Sequence, residues 1–328
     1  MSEAQNTIPA NRRLDASQVY AIVKSNIFPA PWLWALVAAL CLVDALAIVT
    51  NPRLSFTLGP LVSAILPMMG FMPLFIWRLS KSTPADNVFY GRMLQFGLMV
   101  LFLVPAMASL AVFNHVVMTY PFPLVDGMLN HWDGLLGFDW LAFGRLIAHF
   151  PIVNFALDQS YQLMFPTMIL VGLNAILSGR KDIANELLAL VVTTGILVIS
   201  LAAFFPAVGA MELLADASFK AMFSENAGNS FVPQLLEIRT NQPVLISPLF
   251  LAGLAEFPSF HSVCSILIIY GSRANRVSLV LGTILGLCMI AATPTFGGHY
   301  LVDVIAGAPI ALGAIFIARR LARNATGQ

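Results

Sequence analysis

A chain of 328 residues with 59% hydrophobic and 10% charged residues, a net charge of +1 and a mean hydropathy of +0.83 is too apolar for a soluble domain. The balanced charge offers no groove-sized basic patch, which argues against nucleic acid as a partner. Cys41, Cys264 and Cys288 lie in apolar runs without metal-ligand spacing, which argues against a zinc site or a disulfide framework.

The composition therefore predicts an all-α, polytopic membrane helix bundle in one domain, because no linker divides the chain into two regimes. Residues 1–30 read as a retained cytoplasmic N-terminal segment. Its polar stretch up to Lys24 is too long for a secretory signal. A spanning helix needs about 20 apolar residues. That ruler gives about eight spans within 31–318, near 31–50, 57–77, 94–118, 160–177, 187–206, 262–272, 277–293 and 300–318. The sixth is short and extends back into the Leu249–Phe257 run, and residues 319–328 form a tail. Lys and Arg set the orientation: of 17, only Arg53, Arg145, Lys220 and Arg239 fall outside one set of connections, which places both termini in the cytoplasm.

Two outer connections, 119–159 and 207–260, are too long for simple turns. The first carries Asp126, Leu129, Trp132, Asp133 and Gly137-Phe138-Asp139-Trp140, then an amphipathic stretch from Leu141 to Phe150. It reads as a cap over the bundle or as a lid shaping lipid entry. His131 and His149 lack the neighbours that metal coordination needs, and no metal or cofactor is expected.

Chemistry concentrates in Phe257-Pro258-Ser259-Phe260-His261-Ser262 and Gly297-Gly298-His299-Tyr300-Leu301-Val302-Asp303, which the topology brings to one outer face. His299 and Asp303 stand four apart, so the acid can orient the imidazole and leave its other nitrogen as nucleophile or base. Two helix N-termini meeting there suit an anion, with Ser259 as N-cap or phosphate contact and Gly298 admitting a phosphate to the backbone. Read from the residues alone, the cluster fits catalysis and an ion or proton pathway equally.

Pro258-Ser259-Phe260-His261 and Gly298-His299-Tyr300-Leu301-Val302-Asp303 resemble two signatures of the type 2 phosphatidic acid phosphatase superfamily. The outer-loop pattern from Asp126 to Trp140 is similar to the branch related to fungal inositol phosphorylceramide synthase. The resemblance implies a metal-independent lipid phosphatase or phosphotransferase of a bacterial cytoplasmic membrane, acting at the periplasmic or exterior face on a lipid phosphate or phospholipid. His299 would become a phosphohistidine, Asp303 would orient it, and His261 would protonate the departing oxygen. Ala292 and Thr293 occupy the places of the usual Ser-Arg, and the superfamily's first signature is not recognisable. Arg239 is the expected replacement for the missing phosphate cation, and Tyr161 an added hydroxyl. A proton-coupled transporter built on the same His/Asp cluster is the alternative, although no paired broken helices mark two symmetric halves.

Overall fold

Apolar runs define the helices, with Pro in the first turn of Pro31–Thr50, Pro151–Gln162 and Val232–Ile238 and side-chain N-caps at Asp139, Asp216, Ser259 and Asn275. Residues 28–57, 59, 88–225, 227–240, 242–247 and 251–326 are described by the computed structural model. The expected span at 57–77 and the segment 1–30 lie almost wholly outside them. Helix α1 (Pro31–Thr50) begins with proline, whose missing N–H costs nothing in a first turn. After the short strand β1 (Leu54–Phe56) and the undescribed segment comes α2 (Val88–Met118). The connection at 119–159 is almost entirely helical: α3 (Asp126–Leu135), α4 (Trp140–His149) and α5 (Pro151–Gln162). Asp139 caps α4 by accepting from the Ala142 N–H at 2.9 Å.

Helix α6 (Met164–Leu177) follows α5 across Leu163 alone, and α7 (Lys181–Phe204) returns beside it. The connection at 207–260 folds into α8 (Ala210–Leu214), α9 (Ala217–Lys220), α10 (Val232–Ile238) and β2 (Val244–Ile246). Strand β2 pairs in parallel with β1, with Leu54 opposite Val244, a pairing the sequence reading does not contain. Helix α11 (Phe260–Gly271), α12 (Arg276–Phe296) and α13 (Leu301–Thr326) complete the chain.

Among the described residues, α1, α2, α7, α12 and α13 are long and apolar enough to cross a membrane. The pair α4–α5, bent by 111°, adds a sixth if it forms one span. The expected spans at 160–177 and 262–272 appear instead as helices of 14 and 12 residues, shorter than the ~20 residues a bilayer core requires. Apolar side chains exposed along α12, such as Val280, Leu281, Ile284 and Leu287, fit a helix that meets lipid.

Helix α11 packs against α6, α7, α12 and α13, so it is the centre of the bundle. Val263, Cys264, Leu267 and Ile268 fill its interface with Met168, Val191 and Met289. A second core lies under α3, α4, α8 and α9, where Leu129, Trp140, Met211, Phe219, Phe296 and Tyr300 pack together. That core braces the short loop between α12 and α13, which carries His299.

Candidate active site

His299 stands two residues ahead of α13, and three polar anchors hold its loop. Asp133, on α3, accepts from the N–H groups of Leu301 and Val302 at 2.8 and 2.9 Å. These are two of the donors that a helix start leaves without an intrahelical partner. Asp126, about two helical turns earlier on α3, accepts from the Gly209 N–H at 2.9 Å and from the Tyr300 hydroxyl at 3.1 Å. The Trp140 indole donates to the carbonyls of Pro294 and His299 at 3.2 and 3.1 Å. The acidic pattern of the 119–159 connection therefore positions the histidine loop.

The expected meeting of two open helix N-termini is modified by this arrangement, because Asp133 already occupies two first-turn amides of α13. Helix α11 keeps the arrangement more closely: Ser259 is its N-cap, and its Oγ accepts from the Ser262 N–H at 3.4 Å. The same Oγ lies 3.2 Å from His299 Nε2.

On the other side of the His299 ring, Nδ1 meets two carboxylates. Asp303 Oδ2 is 3.3 Å away and also accepts from the Tyr300 N–H at 3.0 Å. Glu256 Oε2 is closer still, in an ion pair that the sequence reading missed. Glu256 is 2% exposed, His299 4% and Asp303 0%. Burial alone would depress the imidazole, but Glu256, with Asp303, overrides it and lifts the His299 pKa from 6.5 to about 10. Burial also pushes the Glu256 carboxyl up from 4.5, against the pull of His299. Both directions say that the pair keeps a proton at neutral pH. In the singly protonated ring, a proton on Nδ1 between Glu256 and Asp303 leaves the lone pair on Nε2, the nitrogen beside Ser259 Oγ.

His261, in the first turn of α11, stacks on Tyr161 with ring centroids 3.9 Å apart and planes 15° from parallel. The Tyr161 hydroxyl lies 3.2 Å from His261 Nδ1. The two imidazole centroids are 6.4 Å apart, so the rings face a shared small volume without touching. Tyr161, Glu256, His261 and His299 all line one cavity of about 430 Å3 whose remaining wall is mainly apolar, with Met107, Leu110, Ala111, Met164, Phe165 and Ile199 from α2, α6 and α7. A volume of this size is typical of a small-molecule site.

Gly298 takes φ +75°, and a Cβ there would fall 2.1 Å from the Gly228 carbonyl oxygen. Its smallness serves the contact between two backbones. Gly297, not Gly298, lies on the cavity wall. Arg239 sits apart: its guanidinium donates to the carbonyls of Tyr120 and Phe122, and it is not part of the cavity wall. Lys220, the other basic residue of the 207–260 connection, pairs with Glu212 at 2.6 Å. Among the described residues, no Lys or Arg lines the cavity.

Residues 128–317, more than half of the chain, match the model of the PAP2 superfamily. The chain belongs to the PAP2 superfamily. No curated protein and no solved structure matches it. Membership supports a phosphatase or phosphotransferase acting on a membrane-associated lipid or phosphate ester, and does not favour the transporter reading. Within this PAP2 protein, one grouping of ligand-bearing atoms stands out: donors of Glu256, His299 and Asp303 all lie within 4.8 Å of one another. The sequence offered one signal for it, an acid in the apolar run before Pro258, where an ionisable group is costly unless it has a task.

Proposed function

We propose that this PAP2 protein transfers the phosphoryl group of a lipid phosphate through a phosphohistidine at His299. The observation that carries the reading is the placement of His299 and His261 on the wall of one cavity that is otherwise largely apolar. The polar end suits a phosphate ester and the apolar remainder suits a lipid chain. A second apolar cavity of about 300 Å3 shares Val104, Met107 and Phe165 with the first and extends that surface along α2.

In the first step, Nε2 of His299 attacks phosphorus and the bond from phosphorus to the lipid oxygen breaks. Asp303 and Glu256 hold the proton on Nδ1 and stabilise the charge that develops on the ring. His261, fixed by Tyr161, gives a proton to the departing oxygen. In the second step, water or an alcohol attacks phosphorus, its proton passes to His261, and the nitrogen–phosphorus bond breaks. Positioning and preorganised dipoles supply most of the catalysis. The covalent steps need no metal ion.

The outer-loop pattern and Thr293, in place of the usual arginine, favour the branch related to inositol phosphorylceramide synthase. The distribution of Lys and Arg favours both termini inside and a site on the exterior face, and an even count of about eight spans agrees with it; the resemblance favours a bacterial cytoplasmic membrane. The test is inorganic phosphate release from phosphatidate, isoprenyl phosphates and sphingoid phosphates in detergent with a chelator. Release by the wild type that His299→Ala abolishes supports the reading. If neither release nor transfer to an added alcohol is detected with any of them, it fails.

A further inference from the structure

We propose that Glu256, His299 and Asp303 bind one divalent transition-metal ion, and that this ion, once bound, switches the nucleophile off. The inhibitory half of the proposal rests on His299 being the nucleophile, whereas the binding half stands on geometry alone.

Two carboxylates converge on one ring nitrogen that has a single proton to give. Glu256 Oε1 and Asp303 Oδ1 are left buried without a hydrogen-bond partner. A buried carboxylate oxygen without a partner is costly, and a cation is the ligand that satisfies several at once. One imidazole and two carboxylates, with donors no more than 4.8 Å apart, supply three nitrogen and oxygen ligands, the number an open tetrahedral zinc site takes from its protein. The fold makes room for the unusual acid. Gly209 has φ +89°, and a Cβ on it would lie 2.5 Å from Glu256 Oε1.

Occupancy has a definite effect on the imidazole. The metal takes the Nδ1 lone pair, and the proton that Nδ1 carried must move to Nε2 or leave. A neutral ring keeps one proton, so that proton sits on Nε2. The atom that attacks phosphorus then has no lone pair, and the nitrogen–phosphorus bond cannot form. No redox change is involved, and removal of the ion restores the original tautomer.

The experiment uses the full chain, purified in detergent, stripped with a chelator and titrated with Zn2+ alone. Metal content after desalting should approach one ion per chain. Glu256→Gln should weaken binding by about tenfold or more, since a lost ligand matters at least as much as a lost outer-shell partner. Asp303→Asn should weaken it as well, which keeps the test decisive if one variant does not fold. His261→Ala, which removes no ligand, should bind as the wild type does. Zn2+ should stop phosphate release, and excess chelator should restore it. Equal binding by wild type and both carboxylate variants, no binding by the wild type, or a fully loaded protein with unchanged turnover would each overturn the proposal. Binding is read without turnover, so a failure of the phosphoryl-transfer reading remains distinguishable from a failure of the metal site.

Discussion

Asp133 makes no contact with the cavity, yet its loss should disable the site. Its carboxylate, 1% exposed, accepts from the Leu301 and Val302 amides at 2.8 and 2.9 Å. A hydrogen bond to a charged group contributes about 1.5–3 kcal/mol, and a buried donor left unmatched costs its desolvation as well. Asp133→Ala therefore should destabilise the fold by about 3–5 kcal/mol. Asp133→Asn keeps one acceptor oxygen and should cost roughly half as much, the lost charge at a helix N-terminus included. Turnover should fall further than stability alone requires. His299 lies directly before the capped turn, and a misplacement of about 1 Å can cost on the order of a hundredfold in rate. Thermal unfolding in detergent, followed by tryptophan fluorescence, and kcat/KM for phosphate release would be measured on the same preparations. An Asp133→Ala protein with wild-type midpoint and wild-type turnover would refute the role of α3 as the brace of the histidine loop.

Gly298→Ala should abolish activity and lower the unfolding midpoint, because its Cβ would sit 2.1 Å from the Gly228 oxygen at a positive φ; Gly313→Ala, with nothing within 4 Å, is the control and should be tolerated. Ala111→Trp, which fills the apolar part of the cavity, should lower kcat/KM for long-chain lipid phosphates by about tenfold or more, the scale of one lost apolar contact. A water-soluble short-chain phosphate should be affected less. Arg239→Ala should leave KM for lipid phosphate within about twofold, since its guanidinium serves the Tyr120 and Phe122 carbonyls. A tenfold rise in KM would instead make Arg239 the phosphate cation.

Composition made the helices legible, since lipid-exposed helices must be apolar over their whole length. Where the chain leaves that regime, the reading weakened: the run at 160–177 is broken at Leu163, and α11 stops at Gly271 before reaching a span's length. Helix α11 is packed on four neighbours, whereas α6 keeps an exposed apolar face at Phe165 and Leu170.

At the site, the pairing of His299 with Asp303 was legible from a spacing of four, although His299 precedes α13 and the contact depends on Asp303 reaching back to the Tyr300 amide. Glu256 was not legible by spacing, because its contact with His299 is made between loops distant in sequence, beside Gly209 from a third. Asp126 and Asp133 stood out as an acidic pattern. Their task as anchors of Tyr300, Leu301 and Val302 required the fold. The expected placement of Arg239 rested on reach along the chain, and reach does not reveal which carbonyls compete for a guanidinium.

The central claim is a covalent bond from His299 Nε2 to phosphorus. The direct measurement is rapid acid-free quenching of the protein with a 32P-labelled lipid phosphate that it hydrolyses, followed by peptide mass spectrometry. The account predicts an acid-labile, base-stable label on the peptide carrying His299, lost in His299→Ala and accumulating in His261→Ala if release of the phosphoryl group becomes limiting. A label on another residue, or turnover that persists in His299→Ala, would contradict it.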